Sequence, residues 1–243
     1  MDARVLGVVG GMGGLASAAF LDTLYRRFAA LPEQTQPVVW LRSNPRLPDR
    51  TRALLGAEDD VADRPGTRRA AAEALTAGIE AELEALRAAG AHRLLVCCVT
   101  AHAVLPWLPA ALQAQTISLI DALFAAPTLA TRRRLVLCTE GTRRLRLLES
   151  HPGFAAHAEH LVWPDVADQA QVHALIYALK AGTPPAQVVP ALAALARRLG
   201  ATGLVAACTE LHLLGDRPGG LPDGLDCVDP LVEVAHRLED LLA

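Results

Sequence analysis

A thirteen-residue unit occurs twice in this chain at a spacing of 110 positions, and it constrains the fold more than any other feature. Gly90-Ala-His-Arg-Leu-Leu-Val-Cys-Cys-Val-Thr-Ala-His102 aligns with Gly200-Ala-Thr-Gly-Leu-Val-Ala-Ala-Cys-Thr-Glu-Leu-His212. Identity holds at Gly90/Gly200, Ala91/Ala201, Leu94/Leu204, Cys98/Cys208 and His102/His212, and Arg87/Arg197 extends the match upstream. In each copy an alanine-rich helical stretch stops at glycine, a short apolar run follows, and a cysteine stands where the run turns polar. Each cysteine is thus expected at the carboxyl end of a buried strand, where open α/β sheets bind ligands. Two such units related by a pseudo-dyad would aim two thiols at one cleft from opposite sides. That arrangement suits proton removal on one face of a carbon and delivery on the other. The alternative is that both cysteines are small apolar core residues.

Strands and helices alternate through both halves. Arg4 to Val9 reads as a first strand, opening onto the glycine turn Gly10-Gly-Met-Gly-Gly14 and a helix from Ala16 to Ala30. Val38 to Arg42 reads as a second strand, Ser43 to Thr51 as a polar loop, and Thr67 to Ala89 as the helix leading into the Cys98 strand. In the second half Leu135 to Cys138 reads as a strand and Thr139-Glu-Gly-Thr142 as a turn. Helices are expected from Arg143, over Gln169 to Lys180 and over Pro185 to Leu199, the last leading into the Cys208 strand. From Asp229 the tail places Leu231, Val234, Ala235, Leu238 and Leu242 on one helical face. The pattern predicts an α/β protein of two pseudo-symmetric parallel-sheet domains, with helices on both faces and the active site in the interdomain cleft. The expected division is 1–113 plus 223–243 for the first domain and 114–222 for the second, with the crossing near Gly219-Gly-Leu-Pro-Asp-Gly224.

The remaining composition excludes several function classes. The 243 residues suffice for two modest cores. A formal net charge of −3 gives no electrostatic case for nucleic acid or an anionic membrane. No apolar run reaches the length of a spanning helix, and the glycine-rich stretch from Val5 to Gly14 is too short for a signal-peptide core, so a cytoplasmic protein is expected. Five cysteines without zinc-type spacing read as thiols, with no metal site and no disulfide framework.

Other residues have narrower readings. Cys97 should face the opposite side of its strand from Cys98 and reads as core. Cys138 ends its strand near the cleft and reads as structural, with lining of the cleft as the alternative, and Cys227 has no assignable partner. His102 and His212 suggest loop orientation or helix capping, with direct proton transfer as the alternative. Arg132-Arg-Arg134 and Arg143-Arg144 read as solvated faces. The glycine turn lacks the acidic residue that a dinucleotide fingerprint places after the second strand, and no Walker lysine follows. It is better suited to bringing backbone N–H groups near a small ligand's carboxylate. Lys180 is the only lysine among 23 basic residues, which marks a place for a compact ammonium or a favourable helix end.

Six blocks in order, Gly10-Gly-Met-Gly13, Asn44-Pro-Arg-Leu-Pro-Asp-Arg-Thr51, Cys98-Val-Thr-Ala-His102, Thr139-Glu-Gly-Thr142, Lys180-Ala-Gly182 and Cys208-Thr-Glu-Leu211, resemble the signature of the aspartate/glutamate racemase superfamily, in its aspartate racemase branch. The resemblance covers nearly the whole chain. It implies a PLP-independent racemase, with no cofactor, acting on a small acidic amino acid and assembled as a homodimer. Cys98 and Cys208 fall on the two catalytic cysteines, and Arg50 and Lys180 on positions that bind the substrate's carboxylates. Thr100 and Thr209 fall on positions that line the pocket and hold the amino-acid head group. Glu210, where the glutamate branch usually has histidine, favours aspartate. Met12, Asn44 and Thr142 complete the implied substrate-binding set. One departure stands out: Val99 replaces the asparagine that usually follows the first cysteine and contacts the substrate. That change favours the rival expectations of a related isomerase or decarboxylase of a dicarboxylic acid. A third is a catalytically silent paralogue that binds an acidic metabolite.

Overall fold

Each half of the chain builds one four-stranded parallel sheet in the computed structural model, which describes residues 4–56, 65–215 and 221–243. The first sheet contains β1 (Val5–Gly10), β2 (Val38–Ser43), β3 (Arg93–Val96) and β4 (Thr116–Ile117) in the order β2-β1-β3-β4. The second contains β5 (Arg134–Leu137), β6 (Leu161–Val162), β7 (Gly203–Ala206) and β8 (Cys227–Val228) in the equivalent order β6-β5-β7-β8. Around them lie α1 (Gly14–Arg27), α2 (Arg50–Leu55), α3 (Pro65–Ala89), α4 (Ala110–Gln115), α5 (Leu119–Phe124) and α6 (Glu140–Arg144). The series continues with α7 (Phe154–His157), α8 (Val166–Lys180), α9 (Pro185–Arg198), α10 (Pro230–His236) and α11 (Leu238–Leu242).

The repeated Gly-Ala pair closes the helix before each cysteine strand in the same way. Gly90 and Gly200 take φ of 108° and 67°, the left-handed region that favours glycine. The next amide then reaches back to a carbonyl five residues earlier, Ala91 to Leu86 at 3.0 Å and Ala201 to Ala196 at 2.9 Å. This glycine-terminated helix stop aims both following strands into their sheets.

Alternation along the strands then divides the apolar residues between three cores. Leu6, Val8, Leu95 and Cys97 of the first half meet Val136, Cys138, Val205 and Ala207 of the second in one cluster, together with α1, α5 and α10. The opposite faces of the two sheets bury Val9, Leu94 and Val96 against α3, and Leu135, Leu137 and Leu204 against α8 and α9. The shared cluster joins the halves.

Several boundaries differ from expectation. Sheet membership runs past positions 113 and 222, because Thr116–Ile117 pairs with β3 and Cys227–Val228 pairs with β7. The segment read as a turn at Thr139–Thr142 is a helix start, with Thr139 accepting from the Thr142 amide at 3.2 Å. Asp165 caps α8 and starts it three residues before Gln169, and Arg237 divides the tail helix in two. Arg134 does not belong to a solvated face. Its side chain is fully buried and pairs with both carboxylate oxygens of Asp226 at 2.9 Å, tying β5 to the segment before β8. Of the expected crossing at Gly219–Gly224, the first two residues lie outside the described residues, and Pro222–Gly224 forms a single 3₁₀ turn.

Candidate active site

The two cysteine strands end in tight turns followed by 3₁₀ segments. The Cys98 amide bonds to Val96 O at 2.8 Å and the Ala207 amide to Val205 O at 3.1 Å, after which Thr100–Trp107 and Thr209–Leu214 form 3₁₀ helices. This bends each chain out of its sheet just where the thiol projects. Cys98 and Cys208, each 5% exposed, line one cavity together with Arg50, Lys180 and Glu210. Its volume is about 10 Å³, room for a single water.

Cations and carboxylates divide unequally around the two thiols. Arg50, the first residue of α2, is buried; its guanidinium donates to Met12 O at 2.8 Å and Pro48 O at 3.1 Å. Its Nε is buried without an acceptor among the described residues. Burial opposes the Arg50 charge, but interactions with the Cys98 sulfur and Asp49 outweigh it and hold the guanidinium above its usual pKa. Cys208 has the opposite company. Its thiol donates to Glu210 Oε2 at 2.9 Å, and burial first, then the Glu210 charge, push it well above the usual thiol range. Gly13 makes room for this carboxylate: with φ of 150°, it lies where a side chain would come within 2.4 Å of Glu210 Oε1. The glycine turn therefore accommodates a carboxylate of the protein itself.

The remaining wall comes from α2 and α8. Asp49 accepts from Tyr177 Oη at 2.8 Å, pairs with Lys180 Nζ at 3.6 Å and caps α2 by accepting from the Arg52 amide at 3.0 Å. Burial would raise the Asp49 pKa, yet the bonds from Arg52 and Tyr177 outweigh it and keep the carboxyl below its usual value. Lys180 also sits 5.0 Å from the Tyr177 ring centroid. On the other side Thr100 bonds to Thr139 at 3.0 Å and to Thr142 at 2.9 Å, joining the two halves through hydroxyls.

The family model for Asp/Glu/Hydantoin racemases matches residues 9–235. The chain belongs to that family. Solved structures agree on the fold at low identity. Picrophilus torridus aspartate racemase superposes with a TM-score of 0.74 at 20% identity, over 98% of this chain and 99% of that one. Glutamate racemase from Campylobacter jejuni gives 0.59 at 16% identity over 98% and 85%, and allantoin racemase from Klebsiella pneumoniae gives 0.56 at 15% over 98% and 87%.

Against this family fold, the ten residues singled out from sequence fall into two groups. Cys98, Cys208, Arg50, Lys180, Thr100, Met12 and Glu210 line the cavity. Thr142 is buried behind Thr100, and Thr209 donates to Cys97 O at 3.4 Å beside the cavity. Asn44 lies outside the lining and holds Glu82 through Nδ2 at 2.7 Å. Val99 packs into the shared apolar cluster and is not among the residues that line the cavity. Cys97 and Cys138 belong to the same cluster.

Asp49, Thr139 and Tyr177 also line the cavity and were not singled out from sequence. A signal existed for Tyr177, which lies three residues before Lys180 and shares its helix face. The paired histidines anchor loops. His102 Nε2 accepts from the Leu119 amide at 2.9 Å, so Nδ1 carries the proton and donates to Cys98 O at 2.9 Å. His212 bridges Asp229 at 2.6 Å and Thr23 at 2.8 Å.

Proposed function

We propose that this chain is a cofactor-independent racemase of an acidic amino acid, aspartate foremost, that works by two-base proton transfer between Cys98 and Cys208. The observation that carries the reading is that two repeat-related thiols line one cavity with Arg50 and Lys180. An amino-acid α-proton is weakly acidic, so its removal needs cations and donors placed where the carbanion's charge develops. Arg50 supplies them at the α-carboxylate, and its spare Nε is a donor awaiting an anion. Lys180 takes the side-chain carboxylate once Asp49 gives up that ammonium. Cys98, opposite Arg50, removes the proton from one face as thiolate. Cys208, held as a thiol by burial and Glu210, returns a proton to the other. The roles exchange in the reverse direction, because racemisation runs both ways.

Lys180 serves here as a cation. Its pairing with Asp49 and its place over the Tyr177 ring suit an ammonium and give no support to a Schiff-base lysine. The cavity must widen for substrate, which requires the Asp49 contacts to Tyr177 and Lys180 to part. The reading includes a homodimer in the cytoplasm, as the family resemblance and the free cysteines suggest.

Proton NMR in D₂O tests the chemistry without added PLP. Each enantiomer of aspartate, then of glutamate, is incubated with purified protein. Loss of the α-proton signal with appearance of the opposite enantiomer is expected for aspartate. No exchange with either amino acid would overturn the reading.

A further inference from the structure

A much larger groove adjoins the small catalytic cavity. Its volume is about 1210 Å³; α2 forms one side and α6 with α8 the other, and Arg52 and Arg143 lie among its lining residues. Among the described residues, only Thr51 and Tyr177 line both spaces. They are the wall between them.

The two parts of that wall differ in what holds them. Thr51 is clamped against α6, where a side chain on Gly141 would stand 2.7 Å from Thr51 Oγ1 and 3.3 Å from its backbone. Tyr177 is a half-buried side chain that reaches across from α8. Its hydroxyl donates to Asp49 at 2.8 Å and its ring packs against His173 at 4.5 Å between centroids. The ring also stands one helical turn before Lys180, the cation proposed for the side-chain carboxylate. A substrate side chain that approaches Lys180 therefore meets the Tyr177 ring at its far end.

We propose that the Tyr177 ring is the partition between the catalytic cavity and this groove, and that it fixes the length of acidic side chain the site accepts. The partition rests on geometry alone, and the length limit rests on the racemase reading above. Removing the ring joins the cavity to a groove with arginines on its wall, which suits dicarboxylic amino acids longer than aspartate.

Two readouts separate these claims. Iodoacetamide labelling of Cys98 and Cys208, followed peptide by peptide by mass spectrometry, reports the partition without requiring activity. In Tyr177→Ala both thiols are expected to label about tenfold or more faster than in wild type, while Tyr177→Phe, which keeps the ring, stays within about threefold. Tyr177→Leu carries the same test if the alanine variant does not fold. The ratio of kcat/KM for glutamate to that for aspartate is expected to rise about tenfold or more in the ring-deleted variant, the usual worth of one methylene. Unchanged labelling in a folded ring-deleted variant overturns the partition. Faster labelling in the ring-deleted variant, with no exchange of either amino acid by the wild-type protein, supports the partition and removes the racemase reading. Faster labelling and aspartate turnover with an unchanged ratio overturn the length limit.

Discussion

At the end of β3 the Cys98 sulfur faces the Arg50 guanidinium, whereas at the end of β7 the Cys208 thiol donates to the Glu210 carboxylate. The two strands share their helix stops and their sheet positions, so the duplicated backbone accounts for bringing both thiols to strand ends. It does not account for their charge. The register partner of Glu210 is Thr100, whose hydroxyl bonds to Thr139 and Thr142 in place of any acid. Arg50 comes from α2, outside the repeat. A symmetric scaffold thus carries two thiols in chemically unlike surroundings, one beside a cation and one beside an anion.

The largest effect on that comparison should come from removing either thiol. Cys98→Ala and Cys208→Ala are each expected to lower turnover in the D₂O assay by roughly 100- to 10,000-fold, the usual contribution of a positioned acid or base. Binding of the acidic ligand, measured by calorimetry, should persist in both, because Arg50 and Lys180 remain. If one variant keeps wild-type turnover, only one thiol is needed and the two-base scheme fails. If turnover and binding fall together in both, the thiols are structural.

How much of this was legible in advance follows from the kind of signal each residue carries. The repeat exposed the strand ends and hence the thiols, because a glycine stop and an apolar run are local patterns that survive without tertiary information. Arg50 and Lys180 came from ordered family blocks. Asp49 was harder to pick out, since it stands in a segment that reads as a polar loop; only the approach of α8 from the other half makes it a partner of Tyr177 and Lys180. Arg134 was misread for a similar reason, because its partner Asp226 lies 92 residues away. Val99 invited a functional reading, but its strand-end geometry turns it into the shared core. Pairings between distant segments were the part that local patterns could not supply.

The twin histidines extend the comparison to stability. His212 has a carboxylate partner in Asp229, while buried His102 has a carbonyl and an amide, neither of which compensates a full charge. Burial accordingly lowers the His102 pKa from 6.5 to about 4. In the unfolded chain this histidine takes up its proton near 6.5, and the folded protein resists it until about 4. Between those values the unfolded state binds more protons, so stability is full above the upper one and declines as pH falls toward the lower. The loss is on the order of 3 kcal/mol. Urea unfolding at pH 7 and pH 4.5 should show a smaller acid loss in His102→Gln than in wild type. An equal loss in both proteins would mean that other groups carry the acid sensitivity.

The finest test removes only the charge that distinguishes the two thiols. Enantiomers have equal free energies, so kcat/KM for the L and D forms must be equal whatever the enzyme does. Unequal thiols therefore cannot be read from that ratio. They must be sought in the free protein, as the pH at which each cysteine becomes reactive. Glu210→Gln keeps the size of the side chain and removes the carboxylate beside Cys208. Since that charge adds to burial in holding the Cys208 proton, iodoacetamide labelling of Cys208 should begin at lower pH than in wild type. Burial remains the larger cause, so Cys208 should still label at a higher pH than an exposed thiol does. Should the Cys208 profile stay where it was, the 2.9 Å contact with Glu210 is not what sets the difference between the two ends of the cavity.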